Sequence, residues 1–118
     1  MTLLYHIYKS KMLNLLNASV LWNKQKLPNN TLDLQLKKIE EEEREVLEAV
    51  TYEEKMAELG DVLIAIGGLE RFDRKLAQKK LQEFLCSLDA PLVMEAIDEG
   101  LKKMPILWRR DYPDGYHH

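Results

Sequence analysis

Apolar residues recur at helical spacing along almost the whole chain, and nowhere does the strict alternation of a half-buried strand appear. Leu3, Leu4, Ile7, Leu15 and Leu16 predict a first helix that fades near Trp22. Leu27-Pro28-Asn29-Asn30 reads as a loop that supplies an N-cap to a second helix over about 31–50. Thr51-Tyr52-Glu53-Glu54 has the pattern of a capping box, in which the Thr hydroxyl and the second Glu carboxylate each satisfy an orphan amide. A third helix follows at once, to about Phe72. Arg74 to Leu88 fits a fourth, and Asp89-Ala90-Pro91 looks like the entry to a last one, ending near Lys103 before Pro105 interrupts it. The expectation is one all-α domain over 1–118, a bundle of about five helices with a polar tail over 105–118. Amphipathic helices in so short a chain commonly complete their core in a homodimer or homotetramer.

Composition narrows the class. At 118 residues and 46% hydrophobic, the chain can bury a core of its own. Its 17 basic and 20 acidic residues leave a formal charge of −3, which argues against a nucleic-acid partner. That charge is unevenly placed: residues 39–61 hold ten acids and only two bases, half of all the acid in the molecule. The single Cys86 cannot pair within the chain, so a reducing compartment, the cytoplasm, is expected. Residues 1–22 are broken by His6, Lys9, Lys11 and two Asn and lack the apolar run of a signal peptide. No stretch approaches the roughly 20 apolar residues of a membrane span, so no membrane partner is expected.

The acids fall on defined faces. At about 100° per residue from Ile39, Leu36, Val46, Leu47 and Val50 lie within roughly −20° to 80°, while Lys38, Glu41, Glu42 and Glu45 share a second face at roughly 200° to 300°. Glu43 falls inside the apolar stripe. The third helix is apolar nearly all round, through Met56, Leu59, Val62, Leu63, Ile64, Ile66 and Leu69, yet carries Glu58 and Asp61 one turn apart. Charges on such a helix need partners, because an unpaired buried carboxylate costs several kcal/mol or takes up a proton. Two helices that each present a carboxylate pair at i, i+3 can converge on a hard divalent cation such as Mg²⁺, which takes oxygen ligands and substrate phosphates. His6 is the only His outside the terminal pair His117-His118, and Glu-x-x-His repeats are absent, which argues against zinc and di-iron. Read by itself, Glu40 to Glu43 is what a solvated face usually looks like, with Glu41–Arg44 as a surface pair; Glu58 and Asp61 tip the reading towards metal.

Lys38-Ile39-Glu40-Glu41-Glu42-Glu43-Arg44-Glu45-Val46 resembles the Lys-x-x-Glu-Glu-x-x-Glu helix of the MazG-like nucleotide pyrophosphohydrolases, and Glu58-Leu59-Gly60-Asp61 is similar to that family's Glu-Leu-Gly-Asp motif. Gln35 also fits, and the resemblance covers about 35–66. It implies an all-α fold, a dimer or dimer of dimers, and Mg²⁺-dependent hydrolysis of a nucleoside triphosphate to the monophosphate and pyrophosphate, with Mn²⁺ as a substitute. Nucleotide-pool housecleaning would be the biological role. By position, Glu42, Glu45, Glu58 and Asp61 would be the metal ligands. Glu41 would bind a second metal or orient the attacking water, and Lys38 would contact phosphate or simply pair with Glu42. Glu40/Glu43 and Glu45/Glu48 also satisfy Glu-x-x-Glu; the Lys38 anchor and the core stripe favour Glu42/Glu45.

Substrate contacts are less sharply marked. Trp22 and Trp108 offer either stacking faces for a base or core packing. Lys102-Lys103 and Arg109-Arg110-Asp111-Tyr112-Pro113 are weakly similar to a basic Tyr-Pro ending in some family members, which makes Lys103, Arg109 and Arg110 candidate phosphate contacts or a solvated basic tail. Two other readings stand beside the enzyme: a non-enzymatic helical interaction module docking a basic partner on the acidic helix, and a degenerate member that binds nucleotide without cleaving it. An interaction module has no use for Glu58 and Asp61 on the apolar helix.

Overall fold

The computed structural model describes residues 3–111, with side chains from residue 6 onward. Five helices account for nearly all of it: α1 (Leu3–Lys26), α2 (Leu32–Glu48), α3 (Tyr52–Leu69), α4 (Arg74–Cys86) and α5 (Ala90–Arg109). No strand occurs among the described residues. None of their helices is long and apolar enough to cross a membrane.

The most apolar helix takes the centre. α3 packs against each of the other four, and from Val62 to Leu69 every residue is buried. Its neighbours cover it with single faces, as amphipathic helices must: Met12, Leu15 and Leu16 from α1, Ile39 from α2, Ala77 and Phe84 from α4, and Val93, Ala96 and Ile97 from α5.

Local chemistry sets the helix ends. Thr31 caps α2, accepting from Leu34 N at 3.2 Å, so the cap falls just after the expected loop rather than within it. Thr51 caps α3 by accepting from Glu54 N at 3.1 Å, while the Glu54 carboxylate accepts from Val50 N, not from the Thr51 amide that a strict capping box would use. Arg71 ties the C-terminus of α1 to the following loop: its guanidinium donates to the carbonyls of Asn23 and Leu27 at 3.0 and 2.8 Å, beside the backbone amides of Leu27 and Asn30 that those carbonyls also accept.

Two expectations are corrected. α5 does not stop at Lys103 but runs through Pro105 to Arg109. Pro105 is exposed, so its ring stands on the solvent side of α5, outside the core. On α2 the buried face is turned away from the stripe drawn through Leu47 and Val50, which are 86% and 88% exposed. Gln35, Ile39 and Glu42 are the buried residues of this helix, and Glu43, expected inside the stripe, is exposed. Polar anchors decide that rotation. Gln35 donates to the Ala65 carbonyl of α3 at 2.7 Å and accepts from Asn23 and Asn30 at 3.1 and 2.7 Å, so three elements share one buried amide.

Candidate metal centre

Turning Gln35 and Ile39 into the core brings Glu42, two helical turns beyond Gln35, to face α3. There it meets Glu58 and Asp61: one carboxylate oxygen from each of the three acids lies within 4.8 Å of the others. Glu45, a turn further along α2 and exposed, lies near enough to Glu58 to raise that residue's proton affinity. Of the four acids assigned as ligands in the sequence, three therefore form one cluster and the fourth stands at its edge.

Two lysines from different helices flank the cluster. Lys38 Nζ donates to Glu42 Oε1 at 2.8 Å and stands 3.9 Å from Glu41 Oε2. Lys103 Nζ donates to Asp61 Oδ2 at 2.7 Å. Its reach depends on the α3–α5 crossing. At Gly60 a Cβ would stand 2.8 Å from Gly100 N and 3.2 Å from Ala96 O, so the backbones nearly touch there, and Asp61 and Lys103 follow on the two helices.

Two oxygens have no donor when the acids are ionised. Glu42 Oε2 and Glu58 Oε2 are buried and accept no hydrogen bond, although the Glu42 side chain is only 6% exposed. Native structures rarely leave buried acceptors in that state, and oxygens alone, gathered from three acids, match the donor set that a hard divalent cation takes. The crowding of acids in a desolvated place raises their proton affinities. Burial, a carboxyl–carboxyl contact with Glu45 and repulsion from Asp61 push Glu58 up to about 7. Burial also raises Glu42 and Asp61 above the ordinary carboxylate range, against the pull of Lys38 and Lys103 respectively.

The remaining candidates lie elsewhere or play other parts. Glu41 is half-buried beside Lys38, outside the three-acid group. Trp22 is 8% exposed and belongs to the core, so its ring offers no open stacking face; Trp108 is half-buried against the same core. Trp22 adjoins Asn23, which packs at Gly68, about two turns along α3 from Asp61. Arg109 and Arg110 are exposed at the end of α5, roughly 10 Å beyond Lys103 along the helix. Tyr112 and Pro113 lie outside the described residues. The Lys103–Asp61 pair was not foreseen as a pair, although Gly60-Asp61 and Gly100 with Lys103 one turn on carried the hint of a close crossing.

No family model, curated protein or solved structure matches this chain.

Proposed function

We propose that the protein is a Mg²⁺-dependent nucleoside triphosphate pyrophosphohydrolase, with Mn²⁺ as a substitute cation, releasing the monophosphate and pyrophosphate and so clearing surplus or aberrant nucleotides. The observation that carries this reading is the pair of buried carboxylate oxygens, Glu42 Oε2 and Glu58 Oε2, that lack a donor within a three-acid cluster. The motif resemblance over 35–66 supports it and supplies the reaction. Glu42, Glu58 and Asp61, with Glu45 at the rim, hold the cation. When bound, Mg²⁺ neutralises the polyphosphate and lowers the pKa of a bound water. Lys38 and Lys103 flank the incoming phosphates, Glu41 orients the water from the open side of α2, and Arg109 and Arg110 receive the outer phosphates. The working unit is a homodimer or homotetramer in the cytoplasm, a reading supported by the exposed apolar corner of Leu47, Val50 and Tyr52 between α2 and α3.

The test is pyrophosphate release from a panel of canonical and modified nucleoside triphosphates, with Mg²⁺ and with chelator. Metal-dependent appearance of monophosphate is expected, falling on the order of a hundredfold or more in Asp61→Asn and Glu45→Gln. A folded protein that turns over nothing in the panel would overturn the reading in favour of an interaction module.

A further inference from the structure

Each of the two lysines pairs with one oxygen of one acid of the cluster. Lys38 takes Glu42 Oε1, while Oε2 of the same carboxylate is buried and without a donor. Lys103 takes Asp61 Oδ2, leaving that carboxylate one further oxygen. Each ammonium thus occupies one oxygen of its carboxylate and leaves the other for a further ligand. Neither lysine is a loose surface charge, since their side chains are 27% and 32% exposed.

A carboxylate with one oxygen held by an ammonium can offer a cation only the other. Divalent cations differ in what they make of that. Mg²⁺ wants six ligands in a near-ideal octahedron at about 2.0–2.1 Å, takes carboxylates through single oxygens and keeps several waters. Ca²⁺ takes about six to eight oxygens at about 2.3–2.6 Å and gains much of that number by gripping carboxylates through both oxygens.

We propose that Lys38 and Lys103 are positioning residues that hold Glu42 and Asp61 to single-oxygen coordination and thereby set the cluster to bind Mg²⁺ and Mn²⁺ in preference to Ca²⁺. This rests on the metal reading of the cluster given above and adds its selectivity. α2 supplies one lysine and α5 the other, so the preference depends on the α3–α5 crossing at Gly60 and Gly100 as well as on the acidic motifs.

The experiment follows Mn²⁺ uptake by the full chain through loss of the free-ion electron paramagnetic resonance signal, then displaces the bound Mn²⁺ with Mg²⁺ or Ca²⁺. Wild type is expected to release Mn²⁺ at lower Mg²⁺ than Ca²⁺. In Lys103→Met the preference for Mg²⁺ over Ca²⁺ should fall by about tenfold, the usual scale for loss of a group that orients a ligand. Lys103→Arg, which keeps a donor on Asp61, should retain most of the preference. Lys38→Met reads the same effect at Glu42 and stands in if Lys103→Met does not fold. If the lysines act only as positive charges, their removal tightens both cations equally and leaves the ratio unchanged, which overturns the inference while the metal site survives. A wild-type protein that favours Ca²⁺ does the same. Failure of wild type to take up Mn²⁺ overturns the metal site itself.

Discussion

Gly60 of α3 and Gly100 of α5 meet backbone to backbone: a Cβ on Gly60 would stand 2.8 Å from the Gly100 nitrogen. The obstacle is main chain, not the end of a flexible side chain, so it cannot swing aside. Gly60→Ala is therefore expected to cost about 1–3 kcal/mol by overpacking, despite the roughly 1 kcal/mol that alanine gains in helix propensity. Urea unfolding reads the loss; an unchanged midpoint would mean that the helices are not in contact here.

The acid cluster makes the metal-free protein less stable as pH rises. Glu58 titrates near 7 in the fold, against roughly 4.3 in an unfolded chain. Between those values the folded state holds a proton that the unfolded state has given up, so stability falls with rising pH, and the loss is complete above about 7. Raised proton affinities at Glu42 and Asp61 act in the same direction. With chelator present, the melting temperature should be higher at pH 6 than at pH 8, and Glu58→Gln should shrink that difference.

Mg²⁺ or Mn²⁺ should raise the melting temperature at pH 8, because a ligand at a hundredfold excess over its dissociation constant adds about 2.7 kcal/mol. The variant combining Glu42→Gln, Glu45→Gln, Glu58→Gln and Asp61→Asn removes the repulsion and the ligands together. It should melt higher than metal-free wild type and gain nothing from either cation. Equal metal stabilisation in both proteins would count against the cluster as the binding place.

Gln35→Leu leaves the Ala65 carbonyl and the amides of Asn23 and Asn30 short of a partner. Buried groups stranded in this way cost about 1–3 kcal/mol each, although the Asn30 amide still donates to Asn23 Oδ1 at 3.1 Å. A net loss of about 2 kcal/mol or more in chemical unfolding is expected. Because the same amide sets the rotation of α2, Mn²⁺ uptake should weaken as well.

The helical class, the five elements and the Thr51 cap were legible in the sequence because each rests on local pattern and chemistry. The rotation of α2 was not. Leu47 and Val50 look like core by hydropathy, but they lie at and beyond the end of α2, where no neighbour covers them. Gln35 and Glu42 look like surface, yet they face inward because α3 offers the first a carbonyl and the second its fellow acids. Hydrophobic periodicity counts apolar residues and is blind to burial decided by polar pairing. The gathering of Glu42, Glu58 and Asp61 followed from the two spaced motifs. Lys103 closing on Asp61 depends on a crossing between residues forty apart, which single-helix geometry does not contain.

α2 and α3 are separated by only Ala49, Val50 and Thr51, so every acid of the cluster resides in one helical hairpin, whereas Lys103 arrives from the last helix. Contacts close in sequence form fast, because little loop entropy is lost in making them. The hairpin should accordingly be formed in the folding transition state and α5 should dock afterwards. Substitutions at the α2–α3 contact such as Ile39→Val would then slow folding, while Ile97→Val in α5 would mainly speed unfolding, a division visible in the two arms of a chevron plot. During the interval between the two events the carboxylates stand together without Lys103, so a cation present while the chain folds would find its ligands before the domain is complete.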